Sequence, residues 1–320
     1  MNQELIEYCD NYLEDYNFMN STVRSDFGIA NSMYINILIS KGVRYDSDLF
    51  YKYKKMVRNY LAIPKCIKHP SENTFATVLL GSLDPEEAMN AISKIYYLLR
   101  NNYKKSTLVA AECVMLYENG GNTEKIIARA REIYKVIRKK HFLAYNDYVK
   151  LYCLELATLE MDCTSIIYEV EKNYENLKFM KDKLFKLSMA IVLVLGKDSS
   201  ESKCKKLQSL HKDLKDNGIK VDISELFTLS VTSISNTQII SRLTEIYNYL
   251  KENRPYNKAF NCEACEKDSI MLLANYYNSI YANDNIISKS PVFLYEISMI
   301  GMFDSMNFSF ADNVGFVLFT

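Results

Sequence analysis

The chain is poor in residues that break helices: among 320 positions there are 9 glycines and 5 prolines. Both residues punctuate turns, so their scarcity predicts long helices with short joints. Apolar residues recur at spacings of three and four rather than alternating, which excludes a sheet-based core. An excess of either charge is missing too, since Lys plus Arg equal Asp plus Glu at 39 each. Proteins that live on nucleic acid gain affinity by neutralising phosphates, and this composition gives no reason to expect that partner. The eight cysteines are scattered without a regular framework, and Cys113 and Cys153 sit in apolar helical stretches. That excludes a disulfide scaffold and fits a reducing cytoplasm.

Targeting signals are also absent. The first sixteen residues carry Glu4, Glu7, Asp10, Glu14 and Asp15, and no base precedes Arg24. A secretory leader needs a basic start and an apolar run, and neither is present. No stretch reaches the roughly 20 apolar residues that span a bilayer. The apolar run 291–302 is shorter and contains Glu296. The expected protein is cytoplasmic, with no membrane partner. No glycine-rich phosphate loop, metalloprotease motif or nucleophile elbow occurs, so no catalytic residue, cofactor or metal is assigned.

What the chain does have is a repeat. An apolar residue, an aromatic, two further residues, an aliphatic and a base recur as Ile95-Tyr96…Leu99-Arg100 and Ile133-Tyr134…Ile137-Arg138. Further copies are Asn173-Tyr174…Leu177-Lys178, Leu210-His211…Leu214-Lys215 and Ile246-Tyr247…Leu250-Lys251. The anchors at 96, 134, 174, 211 and 247 step by 38, 40, 37 and 36 residues. Four residues before each stands Ile92, Ala130, Val170, Leu207 or Leu243, giving a buried stripe at helical spacing. Asp84-Pro85-Glu86-Glu87 and Ser235-Asn236-Thr237-Gln238 read as helix starts, with a capping side chain answered three residues on. The base after each anchor meets the negative end of the helix dipole, and Asn217-Gly218 reads as a stop.

A more uniformly apolar helix precedes each copy: Phe75–Leu83, Leu108–Leu116, Tyr148–Leu159, Leu184–Leu195 and Leu226–Ser235. The predicted fold is all-α, with tandem helix pairs of about 36–40 residues stacked as an α-α superhelix or curved bundle. Residues 1–62 form an N-terminal helical cap, 63–255 five helix-pair repeats, and 256–320 a C-terminal helical cap, in one continuous domain. Periodicity does not say whether the array closes.

The stretch Ala128–Tyr148, with Phe75–Leu99 and Leu184–Gly218, resembles the bacterial "domain of unknown function 4003" family across roughly residues 65–250. The resemblance implies a cytoplasmic, helical bacterial protein and brings no activity, cofactor or catalytic residue. It also implies a pair of acids before the tyrosine at Asp147-Tyr148. Asn146 replaces the first of them, which removes a role built on two carboxylates there.

Candidate sites are few. Cys262-Glu-Ala-Cys265 lacks the second ligand pair that zinc needs and the βαβ setting of a redox motif. His211 takes the place of a repeat tyrosine and is expected in the same half-buried slot, while His69 lies in a loop. The segment Arg129–Tyr148 is richer: Arg129, Arg131, Lys135, Arg138, Lys139, Lys140 and His141, then Tyr145, Asp147 and Tyr148. Bases beside aromatics suit a phosphate or an acidic peptide, and the candidate binding residues are Arg138, Lys139, His141, Tyr145, Asp147 and Tyr148. The leading reading is a non-enzymatic adaptor that binds a protein or peptide. One alternative is a helical enzyme or sensor for a small phosphorylated ligand near Arg138, His141 and Asp147. The other is nucleic-acid binding through 129–141.

Overall fold

A computed structural model describes residues 1–281, apart from 24–27, 64–67, 103–107, 143–146, 182, 197, 222, 231, 233 and 254–260. Among the described residues there is no strand. Seven amphipathic helices begin the helix pairs: α1 Gln3–Thr22, α3 Ser47–Tyr60, α5 Pro85–Asn102, α7 Thr123–Lys140, α9 Cys163–Asn176, α11 Ser200–Asp216 and α13 Asn236–Asn253. Each is followed by a helix buried along much of its length: α2 Gly28–Ser40, α4 Lys68–Leu80, α6 Val109–Asn119, α8 Asp147–Leu156, α10 Lys183–Val192, α12 Ile223–Ser230 and α14 Asn261–Tyr281.

Local sequence sets the start of every odd-numbered helix. Asn2, Asp46, Asp84, Asn122, Asp162 and Ser199 each accept a hydrogen bond from a backbone N–H two or three residues on. Those donors have no partner inside the helix, so the caps satisfy groups that burial would otherwise leave unpaired. At α13 the box is reciprocal: Gln238 N donates to Ser235 Oγ (3.4 Å), and Ser235 N donates to Gln238 Oε1 (3.1 Å). The α11 helix stops as its sequence predicts. Gly218 takes a left-handed φ of 74°, and Ile219 N reaches back to the Leu214 carbonyl at 3.0 Å.

The buried stripe holds in all five copies. Ile92, Ala130, Val170, Leu207 and Leu243 are buried, as are the residues one before and three after each anchor. Cys9, Tyr12, Leu13 and Tyr16 form the same stripe in α1, and Phe50, Tyr53 and Val57 form it in α3. The anchor itself lies at the stripe's edge. Tyr96 is buried, Tyr134, Tyr174 and Tyr247 are half-buried, and His211 is exposed with its ring tilted 6.0 Å from Phe179. The half-buried slot expected for His211 is therefore not where it lies.

Each odd helix packs on the even helix that follows it. The even helices also touch in chain order from α2 to α14, and α14 returns to α2. In the outer layer α13 also touches α1. The array is a ring, with even helices inside and odd helices outside, and α1 and α2 meet α13 and α14 at the seam. Polar contacts mark that seam. Tyr12 Oη donates to Ser32 Oγ (3.1 Å), and Ser32 in turn donates to Asp268. Tyr249 Oη donates to Asp10 Oδ1 at 2.6 Å, and the Met1 amine pairs with Glu245 at 3.0 Å.

The difference between stripe and edge is measurable by thermal melting. Ile133→Ala removes a fully buried side chain and is expected to cost about 2–4 kcal/mol of stability. His211→Ala should stay within about 0.5 kcal/mol, as an exposed surface change. Equal melting temperatures for the two variants would refute the stripe.

Candidate functional site

Because all seven pairs repeat in the same sense around a closed ring, the C-termini of the outer helices share one rim. Arg58, Arg100, Lys215 and Lys251 lie in the last turns of α3, α5, α11 and α13, and Arg138, Lys139 and Lys140 in that of α7. Each base offsets the negative end of its helix dipole. Together they make a basic rim in a molecule of zero net charge. The opposite rim is acidic for the mirror-image reason, with caps Asp46, Asp84 and Asp162 and first-turn acids Glu86, Glu87, Glu124 and Glu201.

The basic rim is densest where α7, α9 and α10 meet. Arg138 and Lys139 are exposed, as are Lys178, Lys181 and Lys183 on the α9–α10 connection. His141 caps the end of α7, its N–H donating to the Ile137 carbonyl at 2.8 Å. Its side chain is 11% exposed, and Nε2 lies 3.1 Å from Glu171 Oε1. Lys140 Nζ is 3.5 Å from the same oxygen. The imidazole stands 4.5 Å from the Tyr174 ring, and Lys186 Nζ lies 4.3 Å from that ring's centroid. Here a cation rests on an aromatic face beside a shared carboxylate.

The sequence candidates divide. Arg138, Lys139 and His141 share the rim. Asp147 and Tyr148 are the first two residues of α8, and Tyr145 lies outside the described residues. Arg129, the first base of the segment, turns away from it: its guanidinium donates to the Ala157 and Leu159 carbonyls, tying α7 to the end of α8. Glu171 and Lys186 escaped notice, and Tyr174 was read only as a repeat anchor, because their grouping with His141 joins helices apart in sequence. Cys265 is buried within α14, with Cys262 one turn earlier in the same helix. Among the described residues no group of three His, Cys, Asp or Glu is placed to hold a metal ion. No helix among them is long and apolar enough to cross a membrane.

A second set of residues was missed outright. Among the buried polar side chains of the described residues, only Asp15, Asn173 and Ser200 belong to outer helices. The inner helices bury Glu72, Glu112, Glu155, Glu225 and Asp268, although they read as apolar. The signal was there in single acids flanked by small or apolar residues, as in Ala111-Glu112-Cys113. Some of these charges are visibly compensated. Arg58 Nη2 meets Glu72 Oε2 at 2.9 Å, and Asn119 Nδ2 donates to Glu155 Oε2 at 2.9 Å.

Burial pushes the Glu155 carboxyl up to about 7, against a partial offset from the Asn119 bond. A carboxyl raised on folding holds its proton in the native chain while the unfolded chain has lost it. Its stabilising contribution is thus present at acidic pH and is lost as pH climbs from the ordinary carboxylate range to about 7. Glu155→Gln should melt like wild type near pH 4 and be more stable above pH 7.5, by up to about 3 kcal/mol. Parallel pH profiles for the two proteins would show that Glu155 titrates normally.

No curated protein and no solved structure matches the chain. A family model described as "Protein of unknown function (DUF4003)" matches residues 15–298, from the middle of α1 to beyond α14. The match covers most of the helix pairs, and the chain belongs to the DUF4003 family.

Proposed function

We propose that this protein is a non-enzymatic adaptor whose basic rim takes an acidic segment of a partner protein. The observation that carries the reading is the common direction of the outer helices, which gathers their C-terminal bases on one face. At α7, α9 and α10 those bases stand beside Tyr174 and the His141–Glu171 pair. An acidic peptide offers carboxylates to Lys139, Lys178 and Lys183, and apolar side chains to the tyrosine. Glu171 and Glu175 interrupt the positive surface, which disfavours a continuous phosphate backbone and favours a partner of mixed character.

A second reading rests on the same cluster. Lys140, His141 and Lys186 gather cationic and donor groups about Tyr174, chemistry that suits one phosphate ester, as in a sensor for a small phosphorylated ligand. The two readings separate by experiment. Selection from a phage-displayed library of random twelve-residue peptides should enrich acidic sequences. Reversing charge at Lys139→Glu with Lys178→Glu should weaken them at least about tenfold and leave the melting temperature unchanged. Failure to enrich acidic peptides, together with a thermal shift by phosphoserine that His141→Ala abolishes, would replace the adaptor with the sensor. DNA or RNA binding that falls steeply with salt would replace both.

A further inference from the structure

The acidic rim carries a feature that helix capping does not account for. A cleft of about 400 Å³ opens there, between the end of α4, the start of α5 and the end of α6. Its lining includes the small residues Gly81, Ala88 and Ala91 together with Tyr117. The glycine leaves room for its neighbour: a Cβ at position 81 would stand 2.7 Å from Lys41 Cδ, and the lysine stem would have to shift. Without one, the lysine stem crosses the backbone and its ammonium pairs with Glu118. Leu83 stands at the lip, with a relative exposure of 107%, more open than any other large apolar side chain described.

We infer that this cleft is a second docking site, for a basic peptide segment carrying one aliphatic or aromatic anchor. Charge decides the sign of the partner. Asp84, Glu87 and Glu118 line the cleft against Lys41 alone, and Lys41 is already held by Glu118. Glu86 adds a further carboxylate on the next residue of α5. A nucleic acid or an anionic membrane would be repelled, whereas lysines or arginines would be drawn in. Shape and Leu83 decide the rest. The volume fits one large side chain with room for its flanking backbone, and Leu83 adds apolar contact outside the cavity, where a small molecule would not reach. Such a site gives the ring two docking faces of opposite charge on opposite rims.

The test is a selection from the same kind of library, followed by fluorescence anisotropy with the selected peptides. Wild type should enrich sequences in which Lys or Arg flank a single Leu, Ile, Phe or Tyr. Filling the cleft with Ala91→Phe, or clipping the lip with Leu83→Ser, should weaken those peptides at least about tenfold. Glu87→Lys, which neither fills nor clips, should weaken them as well, and unchanged circular dichroism melts certify the fold of each variant. Lys139→Glu with Lys178→Glu, on the far rim, should leave this binding intact, so the fate of the basic-rim reading is scored separately. Absence of a basic motif, or basic peptides that bind Ala91→Phe and Leu83→Ser as well as wild type, would overturn the site. So would dimers in sedimentation that the far-rim reversal dissolves, because they would place a second copy's basic rim on the acidic one.

Discussion

An inner helix of this protein is buried over more of its circumference than a single outer partner can cover. In α6 every residue from Val109 to Leu116 is buried, and in α2 the same is true from Asn31 to Ile39. A helix apolar all round needs neighbours on every side. One outer helix covers one side, and the two adjacent inner helices cover the flanks. An open array would leave α2 and α14 each with a bare flank. The α14–α2 contact removes both at once, so closure follows from the burial demand of the repeat. What fixes the register of that closure is polar. The Tyr12–Ser32–Asp268 chain and the Tyr249–Asp10 bond are directional, and each needs a particular partner across the seam.

Closure has an electrostatic consequence that composition conceals. Each outer helix begins on an Asx or Ser cap and most end on Lys or Arg, a local arrangement worth a few tenths to about one kcal/mol per helix. In a molecule whose helices ran in both directions these charges would intermingle and cancel. Here the outer helices repeat in one sense, so the small local preferences add up to two rims of opposite sign. A chain with 39 positive and 39 negative side chains thus presents strongly charged faces. Both candidate surfaces draw on this arrangement: one is the basic rim at α7, α9 and α10, the other the cleft at the start of α5.

Much of the fold was legible in sequence, because the outer helices are specified locally. The stripe at Ile92, Ile95, Tyr96 and Leu99 and the Ser235–Gln238 box are short-range patterns. The stripes in α1 and α3 were harder to see, since Leu13 and Lys54 stand where later copies carry an aromatic ring. His211 misled in the other direction: a position matching the tyrosines in sequence sits at the stripe's edge, where a ring is free to lie outside. Closure was not legible, because Ser32 and Asp268 are 236 residues apart and nothing local relates them. For the site, the bases near His141 stood out, while Glu171, Tyr174 and Lys186 emerged only once α9 and α10 were laid beside α7.

The buried carboxylates deserve a physical reading before a catalytic one. A carboxylate taken out of water is costly unless it is paired or protonated, and both remedies are visible on the inner helices. Arg58 pairs Glu72, and Glu155 is pushed toward its neutral form with Asn119 as a donor. General acid–base chemistry would instead need such groups to face a shared space beside a substrate. The two proposed surfaces lie at the rims, where charged groups meet solvent. Contacts of that kind gain more in encounter rate and selectivity than in depth of binding, and they weaken as salt screens them. On the proposed reading, two such rims would bring an acidic and a basic segment together reversibly, and salt would weaken both contacts.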